Sequence, residues 1–144
     1  MKGIFLITTD AKEYEITNVD DICYNPANLK FGVICRNKYK TGIFSPIYIT
    51  FVFKNGFLPD FIEIVVTSDG FINRSLRYQE GTVYERMAVK VADLLKMKIN
   101  VPSMDEQRKT VSCVKSFDDA ISTHEELLIR WERIKKGLLQ KMFV

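Results

Sequence analysis

The residues that could carry chemistry in this sequence are one histidine and three cysteines, and their spacing does not indicate a metal centre. The cysteines, Cys23, Cys35 and Cys113, include no Cys-x-x-Cys pair, and His124 alone cannot complete a zinc ligand set. We therefore expect no metal site and no cofactor. An odd number of cysteines is also atypical of a disulfide framework, so we expect reduced thiols, with Cys35 in the core.

Two positions could contribute to catalysis. His124 lies on the apolar face of a predicted helix, three residues before Leu127 and four before Leu128, which is typical of a core histidine. A general base is the functional alternative, since an imidazole can titrate near neutral pH. Asp20 and Asp21 lie in a predicted loop and could bind a cation, but acid–base catalysis needs two carboxyl groups that converge across a cleft. No residue is therefore assigned a catalytic role.

Basic residues are concentrated in the second half of the chain. The net charge of +3 combines −1 over residues 1–72 with +4 over residues 73–144, an asymmetry typical of proteins that bind nucleic acid. The last predicted helix offers a structural explanation as well: its acidic residues precede its basic ones, which complements the helix dipole, and Glu126 and Arg130 form an i,i+4 pair. The candidate residues for binding a partner or nucleic acid are Arg74, Arg77, Arg130, Arg133 and Lys136.

The first half of the sequence predicts an antiparallel meander of strands. Residues 43–54 are the strongest candidate, because most are β-branched or aromatic on both faces, with Pro46 marking a bulge or the start of the strand. Asn55-Gly56 is typical of a tight hairpin turn. Residues 18–28 are rich in turn-forming residues and predict a loop. The predicted strands span residues 3–9, 13–17, 29–36, 43–54, 61–67 and 71–78.

Past the middle of the chain, apolar residues recur every three or four positions, which indicates helices. A capping box begins a predicted helix over 82–99, and a second one, at Ser103 and Glu106, predicts a short helix over 104–110. A final helix is predicted over 117–140. We expect its apolar face to be buried; this face consists of Ile121, His124, Leu127, Leu128, Trp131, Ile134 and Leu138.

These elements predict the fold class. A sheet with one apolar face needs a covering layer. We therefore expect a single α+β domain over residues 1–144, in which an N-terminal antiparallel β-meander of five to six strands is covered on one face by two C-terminal amphipathic helices. The segment 43–54 is apolar on both faces, so one face would be left uncovered and could bind a second copy or another protein.

The functional prediction follows from this uncovered surface. We expect a small non-catalytic protein-interaction module that forms a homodimer or binds a protein partner. A nucleic-acid-associated protein that uses the basic C-terminal helix is the alternative, and an enzyme centred on His124 is the second alternative. We expect a cytoplasmic protein without membrane association: no apolar run approaches the roughly 20 residues that span a bilayer, and the apolar stretch that ends at Thr8 lacks a cleavage site.

Overall fold

The computed structural model describes residues 2–3, 15–53, 56–80, 88–94 and 96–143, and it confirms the α+β class. The chain divides into two compact units, Met1–Arg108 and Lys109–Val144. Whether they make up the single predicted domain stays a prediction. Along the described residues, none of the helices has the length and apolar content that crossing a membrane requires.

The strands of the described residues are short and pair only in antiparallel fashion. Strand β3 lies between β4 and β6 in a three-stranded sheet, and the other sheets pair β2 with β5, β1 with β9, and β7 with β8. The strands are β1 (Lys2–Gly3), β2 (Glu15–Thr17), β3 (Ile22–Tyr24), β4 (Ile34–Arg36), β5 (Gly42–Phe44), β6 (Ile49–Phe51), β7 (Gln79–Glu80), β8 (Ala88–Val89) and β9 (Lys98–Ile99).

Helices alternate with the strands of the first unit, and the longest helix ends the chain. Two further segments form single 3₁₀ turns, Leu29–Phe31 and Leu76–Tyr78. The helices are α1 (Pro59–Thr67), α2 (Asp69–Ser75), α3 (Val91–Leu94) and α4 (Met104–Met142).

The central strand β3 corrects the predicted loop over 18–28. All three of its residues are buried, since β3 has a neighbour on each side in the sheet. The aspartates and asparagines around it are typical of turns. The sequence pattern therefore indicated a loop and did not reveal so short a strand. One of them, Asn25, receives hydrogen bonds at its side-chain oxygen from the backbone N–H groups of Ala27 (3.0 Å) and Asn28 (3.2 Å), which fixes the turn that follows β3.

The predicted strand over 29–36 has the wrong register. A 3₁₀ turn comes first and ends at Gly32, whose φ of 75° lies in the left-handed region that glycine adopts without strain. The strand proper starts at Ile34, which is buried, while Cys35 is exposed rather than in the core. A shift of one residue moves every side chain of a strand to the opposite face. Because the 3₁₀ turn delays the start of the strand, the prediction placed Cys35 on the wrong face.

The predicted strand over 43–54 is divided in two. The backbone N–H of Tyr48 donates to Ser45 O at 3.0 Å and closes a turn that contains Pro46, between β5 and β6. Pro46 was predicted to mark a bulge or the start of the strand; it lies instead in the turn that separates β5 from β6. The division leaves Ile43 and Ile47 exposed, whereas Phe51 of β6 is buried.

The predicted strands over 61–67 and 71–78 are wrong, because helices occupy these residues. Pro59 lies in the first turn of α1, where its missing N–H costs nothing. Ser68 is the N-cap of α2 and accepts a hydrogen bond from the N–H of Phe71 at 3.2 Å. These features of the helix starts favour helices, although the β-branched composition of the two segments by itself favoured strands. The helices that pack within this unit therefore come from the middle of the chain rather than its end.

The predicted helix over 82–99 lies partly outside the described residues, and in the described part, from residue 88 onward, only α3 is helical. Here β8 and β9 flank the single turn α3. Tertiary pairing overrides the helical spacing. Val89 is fully buried in β8, and its carbonyl oxygen accepts a hydrogen bond from the Tyr24 hydroxyl at 3.2 Å.

Helix α4 confirms one predicted start and corrects another. The capping box forms as predicted: Glu106 Oε2 accepts from the Ser103 N–H at 2.8 Å, and the Glu106 N–H donates to Ser103 Oγ at 3.4 Å. The helices predicted over 104–110 and 117–140 are a single helix. No proline or glycine occurs over 111–116, so nothing breaks it there.

Gln107 anchors the first turns of α4 to the loop before α1. Its side chain is 1% exposed. The Leu58 N–H donates to Gln107 Oε1 at 2.9 Å, while Gln107 Nε2 donates to the carbonyl oxygens of Pro102 (3.1 Å) and Gly56 (3.3 Å). One buried amide thus satisfies three backbone groups, which fixes where α4 begins.

We expect Gln107→Ala to lower the free energy of unfolding by about 2–4 kcal/mol, because it leaves buried backbone groups without partners and creates a cavity. Gln140→Ala, at an exposed position of the same helix, is the matched control and should change it by less than about 0.5 kcal/mol. Urea unfolding followed by circular dichroism measures both. Equal effects of the two variants would contradict the role given to Gln107.

Candidate functional site

The strongest candidate surface is a row of apolar side chains along α4, which we call the apolar stripe. The predicted apolar face of this helix was expected to be buried, and this was wrong: among the described residues these side chains are exposed, as Leu128 (59%) and Trp131 (64%) illustrate. Phe117 and Met142 extend the row at both ends. The apolar stripe consists of Phe117, Ile121, Leu127, Leu128, Trp131, Ile134, Leu138 and Met142, all exposed.

The geometry of the apolar stripe follows from the helical repeat. Once His124 is counted with them, its members lie three or four residues apart, with Leu127 and Leu128 adjacent, so they share one side of the helix. The described residues of the second unit belong to α4 and to Phe143, so this unit contains no second element that could cover the stripe. Apolar surface left in water costs about 25 cal/mol per Å², and a row of eight such residues is therefore a strong drive toward association.

His124 lies within this row but is not a core histidine, because its ring is exposed. Its Nδ1 is 2.7 Å from the Ala120 carbonyl oxygen, one turn back along the helix. A carbonyl can only accept, so Nδ1 carries the proton in this contact, and in the neutral tautomer with that proton Nε2 is an acceptor. The ring borders an open, mainly apolar hollow of about 370 Å³ that is lined by Phe117, Ala120, Ile121, His124, Glu125 and Leu128.

An enzyme centred on His124 stays a prediction without a supporting contact. Catalysis by a histidine needs a nucleophile or a second ionisable group that converges on it. In the hollow beside the ring, the described lining offers a single carboxyl, Glu125, which is the next residue of the same helix.

The predicted basic residues fall into two groups. Arg74, whose Nε donates to Gly70 O at 3.1 Å, and Arg77 are exposed in the first unit. Arg130, Arg133 and Lys136 are exposed on α4, spaced by three residues, on the side away from the apolar stripe. In the described helix no ion pair within 4 Å joins Glu126 to Arg130, so that expected pair is absent.

The Asp20-Asp21 loop is part of a structural ion cluster around Arg36. The guanidinium of Arg36 contacts Asp20 at 2.7 Å and Glu63 at 3.2 Å, and it also pairs with Asp60. Asp21 is buried and accepts the Asn18 N–H at 2.6 Å. Both carboxylates of the predicted cation site are therefore engaged, and the described residues contain no group of three or more metal-ligating side chains.

The neighbouring carboxylates also affect the pKa of Arg36. Burial would lower the pKa of the guanidinium, but Asp60, Asp20 and Glu63 together raise the pKa of Arg36. These contacts join β4 to α1 and to the turn before β3. Nothing in the sequence indicated this cluster, since its acids lie 16 to 27 residues from the arginine.

The thiols are poor nucleophiles. Burial raises the pKa of Cys23 to about 11 despite a 3.3 Å contact with the Thr17 hydroxyl. Burial and then Glu63 raise the pKa of Cys35 as well. A reactive cysteine needs a lowered pKa, so neither residue is a catalytic candidate. All three cysteines are free thiols, as predicted.

Two other features are smaller than the apolar stripe. A cavity of about 80 Å³ beside Asp20 and Phe53 is too small for an organic ligand. Ile16 and Ile43 face each other across β2 and β5, and both are exposed. Together with Ile47 and Val52, which are also exposed, Ile43 is what the described residues leave of the uncovered sheet face predicted from residues 43–54, and this apolar group is smaller than the eight side chains of the stripe.

Replacing Arg36 with methionine should lower the free energy of unfolding by about 1–3 kcal/mol, because three carboxylates would lose their shared cation. Lys38→Met is the control: Lys38 makes one ion pair, with Glu63 at 2.8 Å, and is 55% exposed, so we expect less than about 1 kcal/mol. Thermal and urea unfolding of both variants provide the measurement. An Arg36 variant as stable as the wild type would show that the cluster is dispensable.

Comparison with known proteins adds no functional assignment. No protein-family model matches this sequence, and a search of curated proteins finds no significant match. The functional argument therefore depends on the chemistry of the surface itself, and among the described residues the apolar stripe of α4 is the largest row of exposed apolar side chains.

Proposed function

We propose that this protein is a non-catalytic protein-interaction module and that the apolar stripe is its binding surface. The single observation that carries the proposal is the exposure of eight large apolar side chains on one side of one helix. Contiguous apolar surface of this kind typically marks an interaction site. The occupant is a protein helix, either from a second copy or from another chain, because a helical row of side chains fits between those of a facing helix.

The area of the stripe supports a stable complex. Eight side chains that are roughly half exposed offer about 800 Å² per partner, which is the size of a standard specific interface. Most of the stability of a helix in a folded protein comes from packing of its apolar face. A partner on the stripe would therefore stabilise α4 itself.

The chemistry of the remaining chain fits this role. The thiols of Cys23 and Cys35 have raised pKa values, and free cysteines are typical of reducing compartments, so we place the protein in the cytoplasm. The carboxylates of Asp20 and Asp21 are engaged in structural contacts. These contacts leave the stripe as the surface to test.

The test compares neighbouring positions of α4. Leu128 (59% exposed) belongs to the apolar stripe, whereas Ile129 (50% exposed) is the next residue and lies off it. Leu128→Glu should weaken association by about 100-fold or more, because a carboxylate would enter an apolar interface. Ile129→Glu should change it by less than about threefold. Sedimentation velocity over a range of concentrations gives the association constants.

If the wild type is a monomer, the same variants are tested for binding to another protein. A host protein retained by the wild type and by Ile129→Glu, but lost with Leu128→Glu, would place the interaction on the stripe. If Leu128→Glu and Ile129→Glu behave alike in both assays, the stripe is not a binding surface and the proposal is wrong.

A second candidate function is nucleic-acid binding through α4, favoured by the exposure of Arg130, Arg133 and Lys136 on one side of the helix. Phosphate contacts would make such binding fall steeply with salt. We expect fluorescence anisotropy with generic DNA and RNA to detect binding at low salt and to lose it when these three residues become alanine. The Arg74→Ala/Arg77→Ala variant tests whether the basic residues of the first unit contribute to this binding. No binding at low salt would exclude this function.

A further inference from the structure

The apolar stripe has the spacing of a coiled-coil seam with two polar positions. Steps of three and four residues alternate from Phe117 to Met142 without interruption. His124 and Lys135 occupy two of these seam positions, at which an apolar residue would pack best. Polar residues at seam positions cost stability, and they specify which arrangement of helices forms. The complete seam is Phe117, Ile121, His124, Leu128, Trp131, Lys135, Leu138 and Met142.

One antiparallel arrangement of two copies matches this seam to itself. When Leu128 of one copy faces Trp131 of the other, every apolar residue of the seam meets an apolar one, and the two polar residues meet each other. The His124 ring presents Nε2 as an acceptor, and the Lys135 ammonium is a donor. The facing pairs are Phe117 with Met142, Ile121 with Leu138, His124 with Lys135, and Leu128 with Trp131.

The neighbouring registers lack this match. A shift of one heptad in one direction places Lys135 against Phe117 and His124 against Leu128. The shift in the other direction places Lys135 against Trp131 and His124 against Met142. A parallel pair would place two Lys135 ammonium groups side by side in the seam, where like charges repel. Each alternative register or orientation buries the Lys135 ammonium either without a hydrogen-bond acceptor or beside a second ammonium.

Charge along the helix favours the same orientation. Residues 117–129 carry four acids and no basic residue, whereas residues 130–142 carry five basic residues and one acid. An antiparallel pair centred between Ile129 and Arg130 sets the acidic half of each copy against the basic half of the other. In a parallel pair the two acidic halves lie side by side, as do the two basic halves.

Residues beside the seam extend the apolar contact. Leu127 and Ile134 lie on one flank, and in the antiparallel arrangement Leu127 of one copy approaches Ile134 of the other. On the opposite flank, Glu125 of one copy approaches Glu132 of the other, where both carboxylates are solvated and salt weakens their repulsion. The area available from both copies, about 1,600 Å², is that of a standard stable interface.

We propose that the apolar stripe binds a second copy of this chain in an antiparallel helix pair, with Ile121 facing Leu138 and Leu128 facing Trp131 of the other copy. This inference rests on the proposed function, and it adds the identity of the partner, the orientation and the register. The fit of the seam to itself in one register, together with the complementary charge of the two halves, argues for a second copy over an unrelated helix.

Cysteine cross-linking tests the register. The variant Ile121→Cys/Leu138→Cys is made in a background in which exposed Cys35 and Cys113 are serine, while buried Cys23 is kept. The two new thiols are 17 residues apart on one helix, about 26 Å, so no disulfide can form within one copy. Air oxidation removes two electrons and two protons from each thiol pair, with oxygen as the acceptor, and forms one S–S bond.

Tryptic peptides identify which residues are joined. Cleavage after Lys115, Arg130, Lys136 and Lys141 separates residue 121 from residue 138. We expect peptides that link 121 to 138 to exceed those that link like to like by about tenfold or more. The matched control is Asp119→Cys/Lys136→Cys, which has the same separation but lies off the seam and should give no linked peptide.

Each outcome has a defined meaning. Links of 121 to 121 and of 138 to 138 would show a parallel pair and overturn the inference, while the proposed function would stand. A monomer whose stripe binds a host protein, with loss upon Leu128→Glu, would likewise overturn only the inference. A monomer that shows no stripe-dependent binding would overturn both. Equal linking in the control variant would show random collision and overturn the proposed register.

Discussion

The exposure of the apolar stripe is the constraint on which the behaviour of this protein depends. A helix of 39 residues holds its shape mainly through the packing of its apolar side, and the unit formed by residues 109–143 supplies no second layer. The first turns of α4 are secured within the other unit by the Ser103–Glu106 capping box and by Gln107. Beyond that anchor the side chains of the stripe are exposed along the described helix, and we propose that association covers them.

Two largely buried polar side chains have structural roles: Arg36 holds three carboxylates, and Gln107 satisfies three backbone groups. His124, by contrast, is exposed along α4 beside an open hollow whose described lining offers one carboxyl, Glu125. Convergence of ionisable groups is what a catalytic centre needs, whereas a linear array is suited to contact with another elongated surface.

Local rules explain what the sequence could predict. The capping box at Ser103 and the three-and-four spacing of the stripe each arise within a few residues, and each is found in the structure. The stripe was identified by spacing, but its burial was assumed, because a pattern shows which residues share a face and not what covers that face. The same spacing, followed further, would have included Phe117 and Met142.

Non-local contacts explain the failures. Residues 61–67 have the composition of a strand, yet Pro59 and the packing of Phe61, Ile62 and Val66 make them a helix. Val89 joins a strand because Tyr24, far away in the sequence, bonds to its carbonyl oxygen. The acids around Arg36 come from separate segments, so no local signal could have assembled that cluster. Pairings of this kind are determined by the whole fold.

The pairing of β1 with β9 has a consequence for how the chain folds. Lys2–Gly3 lies against Lys98–Ile99, so this ribbon closes a loop that spans nearly the whole first unit. Closing so long a loop is entropically costly and slows folding. On the ribosome, however, β9 leaves the exit tunnel before α4 does. A nascent chain can therefore pair β1 with β9 before the apolar stripe emerges. This order shortens the time in which the stripe could aggregate with unfolded neighbours.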